Sequence, residues 1–129
     1  MDNLALAQQI FQPGNEHTLV DHLAEDVVLS TTIPDRPPRA AVLRGREAVV
    51  AYFESLDELG EFDPFAGPLD FLADAAGDRI AVLGEMRFRV AASGAAGCGA
   101  YAFVMHFRDG RIARIVDLME LSAVADPLE

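Results

Sequence analysis

The chain has 129 residues, of which 51% are hydrophobic and 24% are charged, and its formal net charge is −11. This length is typical of one domain with a single hydrophobic core, and the apolar content is too high for a disordered protein. The excess of acidic residues argues against nucleic acid and anionic membranes as partners, because both require clustered positive charge. All ten basic residues are arginine, so chemistry that needs a lysine amine, such as Schiff-base formation, is excluded.

The cysteine content and the N-terminal residues predict where the protein resides. Cys98 is the single cysteine, so no internal disulfide can form, and a reducing, cytoplasmic compartment is expected. The first residues lack a basic segment and carry an acid at Asp2, which is unlike a signal peptide. No apolar run approaches the ~20 residues that span a bilayer. The arginine-rich, lysine-free composition is typical of high-GC bacterial genomes.

The first half of the sequence predicts three helices and one strand. Apolar periodicity places helices over Leu4–Phe11, Asn15–Leu23 and Gly45–Leu59, and a β-branched run places a strand over Val27–Thr32. Between that strand and the third helix, three prolines in IPDRPPRAAVLRG predict an extended loop without regular strand pairing. The third helix has an apolar stripe formed by Val49, Phe53, Leu56 and Leu59.

The second half predicts four strands joined by turn sequences. The strands cover Leu69–Asp74, Arg79–Ala91, Gly99–Arg108 and Arg111–Leu121. The second of them alternates strictly, with one apolar face and one increasingly charged face, as expected of a sheet packed on one side. The order of elements predicts a single α+β domain over residues 1–129. Its cone-shaped, curved, mostly antiparallel sheet would carry the three helices on the concave face.

Three stretches resemble the SnoaL-like polyketide cyclase branch of the nuclear-transport-factor-2-like superfamily. LAEDVVL (Leu23–Leu29) is similar to the passage from the second helix into the first strand. LRGREAVVAYFESL (Leu43–Leu56) resembles the family's helix that begins with Gly-Arg-Glu-Ala, and FRDGRIARIVDLMEL (Phe107–Leu121) resembles its last hairpin. The resemblance implies an apolar pocket between helices and sheet. It does not imply one reaction, because this architecture serves isomerases, cyclases, epoxide hydrolases, dehydratases and binding domains.

Asp117 is the strongest candidate for a catalytic residue. It shares a strand face with Ile115 and Met119, and a carboxyl on a core-facing strand is costly unless it is paired or protonated. Apolar surroundings would raise its pKa from about 3.9 toward neutrality, which suits a general acid or base. The resemblance implies the same residue, since SnoaL-like cyclases carry a pocket acid in their last strand. The alternative is that the other strand face is buried and Asp117 is solvated.

The partner of Asp117 depends on the turn at Asp109-Gly110. A two-residue turn would place Ala102 opposite Asp117, with His106 on the same face about 13 Å along the strand. A three-residue turn with a glycine bulge would instead place Tyr101 opposite Asp117 and turn His106 to the far face. Both His106 and Tyr101 therefore remain candidate catalytic partners that would polarise a substrate oxygen.

The expected pocket is lined mainly by apolar residues. The residues predicted to contact a substrate are Thr31, Phe53, Met86, Phe88 and Met119. Ketosteroid-isomerase-like proteins have a base at about the position that Thr31 occupies here, and a threonine cannot serve as that base. Limonene-epoxide-hydrolase-like sites have polar residues at the positions that are occupied here by Leu29, Thr31, Met86 and Phe88. Those two mechanisms are therefore disfavoured in their known forms. No metal-ligand spacing links the three histidines, and no cofactor motif is present, so no metal and no cofactor are expected.

The leading hypothesis is a cofactor-free enzyme that performs cyclase- or isomerase-type acid–base chemistry, or epoxide opening, on an apolar polyketide-like molecule. The alternatives are a domain that binds an apolar ligand without converting it, and a dimeric accessory domain. In each case a homodimer is expected, because the strand face away from Asp117 could meet a symmetry mate through Arg114, Val116, Leu118 and Glu120.

Overall fold

The computed structural model describes residues 2–33, 39–92 and 94–120. Within them the chain forms two α-helices, one 3₁₀-helix and seven strands. The helices are α1 (Asn3–Ile10), the 3₁₀-helix (Glu16–His22) and α2 (Arg46–Leu59). The strands are β1 (Leu23–Ile33), β2 (Arg39–Arg44), β3 (Gly60–Asp63), β4 (Asp70–Ala73), β5 (Arg79–Val90), β6 (Ala96–Arg108) and β7 (Arg111–Met119). The predicted strand end at Leu121 lies outside the described residues.

The helices begin and end close to the predicted residues, although one has a different geometry. Asp2 caps α1, because its carboxylate accepts a hydrogen bond from the Ala5 amide at 2.7 Å. The second helix is a single 3₁₀ segment that runs directly into β1, and the side chain of Asn15 makes no capping hydrogen bond. The third helix, α2, lies between Gly45 and Gly60 as predicted.

Two short strands were not predicted by the sequence pattern. The residues of β2 were expected to belong to a proline-rich loop, but they pair antiparallel with β1. The prolines of that segment precede β2 in the sequence, and β2 is an edge strand that needs hydrogen-bond partners on one side only. The four residues of β3, expected to be an irregular connection, pair with the end of β5.

The strands form one curled, mixed sheet with the order β2-β1-β7-β6-β5-β3, and β4 pairs with β5 beside β3. Only the β1–β7 pair is parallel among the described strands. The α+β fold class and the helices packed on one side of a curved sheet are thus as predicted. We call the helix-covered side, which carries the buried Leu29, Val82 and Ile115, the inner face. The other side is the outer face.

Candidate functional site

Asp117 lies in the middle of β7 on the inner face. Its neighbours on that face of β7 are Ile115, which is fully buried, and the half-buried Met119. Phe103 of β6 lies directly opposite Asp117, and Thr31 of β1 approaches it from the other side. The carboxyl group is therefore placed toward the core, as the sequence predicts.

The hairpin between β6 and β7 decides which side chains share this face. Asp109 and Gly110 both have positive φ, 54° and 77°, and form a two-residue turn that pairs Arg108 with Arg111. The register then shifts between His106 and Phe107, because β7 contains one extra residue, a β-bulge. Neither predicted alignment of the hairpin forms, since both place a residue other than Phe103 opposite Asp117.

The bulge places His106 and Tyr101 on different faces of the sheet. His106 pairs with Arg114 on one side and with Arg79 on the other, on the outer face. Burial lowers the pKa of His106, and the charges of these two arginines lower it further. The arrangement in which His106 shares a face with Asp117 is therefore not formed, because a single inserted residue inverts the alternation. Tyr101 lies on the inner face with Asp117.

Burial makes Asp117 an unusual acid. Desolvation raises its pKa to about 6, and a hydrogen bond from Thr31 partly opposes this increase. The Thr31 hydroxyl donates to Oδ2 of Asp117 over 3.4 Å, which is a long hydrogen bond. Thr31 itself is only 6% exposed. A carboxyl group with a pKa near neutrality can both accept and return a proton.

Tyr101 lies on the inner face opposite Met119, two residues from Asp117 along β7, and a hydrogen bond fixes its side chain. Its hydroxyl donates to the backbone carbonyl of Pro64 at 2.8 Å. Burial, followed by the charges of Asp117 and Asp63, raises its pKa to about 12. The ring has room because Gly84 lies opposite, where a Cβ atom would approach the Tyr101 hydroxyl to 2.9 Å. Tyr101 is therefore a neutral, well-fixed donor.

Tyr52 is a polar residue near Asp117 that the sequence pattern does not single out. It lies on α2, packs against the main core, and its pKa is raised by burial and by the Asp117 charge, whereas contact with the Thr31 hydroxyl lowers it. The neighbouring Phe53 is the residue of α2 predicted to contact a substrate, and the two rings meet edge to face. The signal that could have identified Tyr52 is its position three residues after the buried Val49.

The predicted substrate-contacting residues do not form one cluster. Thr31 and Met119 lie beside Asp117, and Phe53 packs against the same core. Phe88 instead belongs to a second apolar cluster, and Met86 packs against both. Val82 of β5 lies in the same row across the sheet as Asp117. Phe88 is six residues further along β5, which places it about 20 Å from that row.

A groove of ≈ 770 Å³ lies at this distant end of the sheet. It is lined by Glu61, Phe62, Asp63, Arg87, Phe88, Arg89, Ala96, Gly97 and Cys98. Asp117, Thr31 and Tyr52 do not line it. The chemical groups around Asp117 and this groove are therefore separate features.

The described side chains do not bring three or more His, Cys, Asp or Glu residues together as a metal-binding group. In the described segments, no helix is both long enough and apolar enough to cross a membrane.

Comparison with known proteins identifies the family of this chain. The SnoaL-like domain family matches residues 5–115, which is most of the chain. This chain belongs to the SnoaL-like domain family. Among curated proteins, none matches the sequence.

Solved structures with the fold of this SnoaL-like domain cover almost the whole chain. A candidate polyketide cyclase from Pseudomonas putida has a TM-score of 0.79 and 16% identity, and the match covers 100% of this chain and 99% of that one. A nuclear-transport-factor-2-like protein from Burkholderia xenovorans has a TM-score of 0.76 and 20% identity, with 98% and 95% covered. A candidate polyketide cyclase from Xanthomonas campestris has a TM-score of 0.73 and 16% identity, with 95% and 96% covered. At these identities the similarity establishes the fold.

Proposed function

We propose that this SnoaL-like domain is a small-molecule enzyme of the cyclase or isomerase type, in which Asp117 is the general acid and base. The observation that supports the proposal is the carboxyl group of Asp117, placed on the core-facing side of β7 with the Thr31 hydroxyl as its partner. Apolar side chains surround it and raise its pKa to about 6. The proposed chemistry needs only protein side chains.

The ionised Asp117 would remove a proton from a carbon next to a substrate carbonyl. The electron pair of that C–H bond forms a carbon–carbon double bond, and the π pair of the carbonyl moves to its oxygen. The resulting enolate oxygen requires a hydrogen-bond donor. The Tyr101 hydroxyl already donates to Pro64, so we assign the donor role to Tyr52. Return of the proton from Asp117 to a different carbon completes an isomerisation. Attack of the enolate carbon on a second carbonyl closes a ring, and Asp117 protonates the new alkoxide.

The substrate class follows from the surroundings of the acid. Thr31 is a polar neighbour, whereas Phe103, Met119 and Phe53 present apolar surface. Such surroundings favour a neutral molecule with few polar groups, because an additional buried anion beside Asp117 would be costly. An apolar, polyketide-like ketone is neutral and has few polar groups, and its carbonyl groups acidify the neighbouring C–H bonds that Asp117 would deprotonate.

The test is deuterium exchange at the carbon next to the carbonyl of β-tetralone, an apolar bicyclic ketone, followed by NMR. We expect the wild-type protein to accelerate exchange and Asp117→Asn to lose roughly a hundredfold or more of that acceleration. Tyr52→Phe should lose a smaller factor, because it removes one donor and leaves the base in place. Asp57→Asn, at an exposed position of α2, is the matched control. Equal exchange rates for the wild type and Asp117→Asn would refute the assignment.

The groove beside Phe88 favours a second candidate function, apolar ligand binding without conversion. Phe62 and Phe88 pair across β3 and β5, and the groove they line is remote from Asp117. A ligand held there would lie away from the Asp117 carboxyl group, which does not line the groove. If β-tetralone binding is weakened by Phe88→Ser and no exchange is detected, the binding function is favoured over the enzyme.

The same proposal includes a homodimer. Arg114, Leu118 and Glu120 are exposed on the side of β7 away from Asp117, and Val116 is half-buried between them. A second copy of the chain on this face would leave the inner face of each copy free for a substrate.

A further inference from the structure

Thr31 is a buried polar residue on an apolar surface. Its side chain is 6% exposed, and Leu29, two residues earlier on the inner face of β1, is fully buried. A valine at the position of Thr31 would fill nearly the same space without the cost of burying a hydroxyl group. The presence of this hydroxyl is therefore explained by its polar neighbours rather than by packing.

The Thr31 hydroxyl lies between polar side chains of two different elements. On one side, Thr31 of β1 is the neighbour of Asp117 on the parallel strand β7, and its hydroxyl donates to Oδ2 of Asp117 over 3.4 Å. On the other side, Tyr52 of α2 packs against the same core, and its hydroxyl is close enough to Thr31 for this contact to lower its pKa. Thr31 thus connects Tyr52 to Asp117.

Tyr52 and Tyr101 are the titratable side chains that face Asp117 in the described part of the chain. Burial raises the pKa of each tyrosine, so both are neutral near neutral pH. The Tyr101 hydroxyl is already engaged, because it donates to the carbonyl of Pro64 at 2.8 Å. Tyr52 is therefore the donor that Thr31 can direct.

The hydrogen-bonding capacity of a hydroxyl group links the state of Asp117 to that of Tyr52. A threonine hydroxyl has one proton to donate and two lone pairs that accept. While Asp117 is ionised, it holds the Thr31 proton, and Tyr52 can meet Thr31 only as a donor. Once Asp117 is protonated it is a weaker acceptor, because hydrogen bonds to a charged group are about twice as strong as neutral ones. The Thr31 proton can then turn to the Tyr52 oxygen, which leaves the Tyr52 proton for another acceptor.

We propose that Thr31 is a positioning residue that holds Oδ2 of the ionised Asp117 and, when Oδ1 takes a proton from the substrate, turns its own proton to Tyr52 and so directs the Tyr52 hydroxyl to the new enolate oxygen. This inference rests on the proposed function and assigns the coupling between its base and its hydrogen-bond donor. The proton from the substrate carbon ends on Oδ1. The hydroxyl protons of Thr31 and Tyr52 stay on their own oxygens and change only their direction.

This coupling favours the transition state over the bound substrate. The Tyr52 hydroxyl is released only as Asp117 gains the proton, which is also when negative charge develops on the substrate oxygen. An interaction that strengthens at that moment accelerates the reaction, whereas one made equally to the ground state does not. Accepting a hydrogen bond from Thr31 also makes Tyr52 a stronger donor, because hydrogen bonds in a chain polarise one another.

The first test measures the pKa of Asp117 by carboxyl-carbon NMR and needs no turnover. We expect Thr31→Val to raise this pKa above the wild-type value, because the carboxylate loses its donor, and Thr31→Ser to keep it. Tyr52→Phe should also raise it, since the donation from Tyr52 strengthens that from Thr31. In the Thr31→Val background Tyr52→Phe should have no further effect, because Tyr52 acts on Asp117 through Thr31.

The second test follows deuterium exchange of β-tetralone as a function of pH. The acidic limb of kcat/KM should move to higher pH in Thr31→Val and return to the wild-type position in Thr31→Ser. At pH 8, above the Asp117 pKa of about 6, the factor lost on Tyr52→Phe should be at least roughly threefold smaller in the Thr31→Val background than in the wild type.

The matched control is Thr32→Val, at the next residue of β1, which pairs with Ala40 on the outer face. It should leave the Asp117 pKa and the exchange rate unchanged, and circular dichroism establishes that each variant is folded. An Asp117 pKa that is the same in the wild type and Thr31→Val would overturn the positioning role. A Tyr52→Phe effect on that pKa that persists in the Thr31→Val background would overturn the coupling. If the pKa changes occur but the wild type accelerates no exchange, the hydrogen-bond chain is supported and the proposed reaction is refuted.

Discussion

Asp117 and Asp26 show how surroundings determine the acidity of the same side chain. Asp26 is exposed and accepts a hydrogen bond from Arg108, which lowers its pKa. Asp117 has a threonine hydroxyl in place of an arginine, and burial raises its pKa to about 6. Asp26 and Arg108 form an ordinary surface ion pair, which contributes little to stability. Asp117, in contrast, can exchange protons near neutral pH.

The raised pKa of Asp117 makes the free energy of unfolding depend on pH. Because the native state keeps this proton up to about pH 6 and the unfolded chain loses it near 3.9, wild-type stability should fall as pH rises through that interval. Asp117→Asn removes the buried charge, so it should be more stable than the wild type by roughly 1–3 kcal/mol at pH 8. Below about pH 4 the difference should vanish.

Urea unfolding of both proteins at pH 4 and pH 8, followed by circular dichroism, measures this difference. Asp57→Asn, at an exposed site, should show no comparable gain. If Asp117→Asn is the less stable protein at pH 8, the carboxylate is well solvated or paired in the native state, and the physical basis of the proposed general base is lost.

At the scale of elements, glycine positions set where α2 ends and β3 begins. Gly60 joins these two elements, and a Cβ atom there would overlap the carbonyl oxygen of Arg89 on β5. The backbone of the sheet cannot move aside as a flexible side chain could. The close approach of β3 to β5, and with it the second apolar cluster, therefore requires glycine at this position.

Gly60→Ala should lower the free energy of unfolding by more than ~2 kcal/mol, because the overlap is with backbone atoms. Gly67→Ala is the matched control, since a Cβ atom at Gly67 would meet only the flexible side chain of Glu85 at 3.2 Å. It should cost less than about 1 kcal/mol. Urea denaturation of the two variants provides the comparison, and similar losses in both would contradict the role assigned to Gly60.

At the scale of the whole molecule, the two faces of one sheet have different surroundings. The inner face packs against the helices and contains the core, whereas the outer face is partly apolar and open. β7 contributes to both, with Ile115 and Asp117 on one side and Leu118 on the other. Substitutions on this strand can therefore separate folding from association.

Leu118→Lys should give a folded monomer, because this side chain is more than half exposed in the single chain but lies at the centre of the proposed interface. Ile115→Lys, three residues earlier on the same strand, should prevent folding, since Ile115 is fully buried and a lysine there would be an unpaired buried charge. Ultracentrifugation and circular dichroism distinguish the two results. A Leu118→Lys protein that still forms the wild-type dimer would place the interface elsewhere.

Much of the fold is predictable from local sequence patterns. Gly45 and Gly60 flank α2 as expected, and the alternation in β5 correctly predicts which of its residues are buried. The placement of Asp117 on the core-facing side of β7 also follows from its apolar neighbours. These features depend on interactions within a few residues of the chain, so the sequence alone determines them.

The tertiary structure alone decides the partners of Asp117. A single extra residue in β7 places Phe103 opposite the carboxyl group and moves His106 to the outer face, and nothing in the sequence of the turn encodes that bulge. The choice of Tyr52 beside Phe53 depends on how α2 is rotated against β1, and the pairing of β2 depends on an unoccupied sheet edge. Local periodicity specifies which face of an element is buried, whereas register, rotation and edge pairing are set by contacts between residues distant in the sequence.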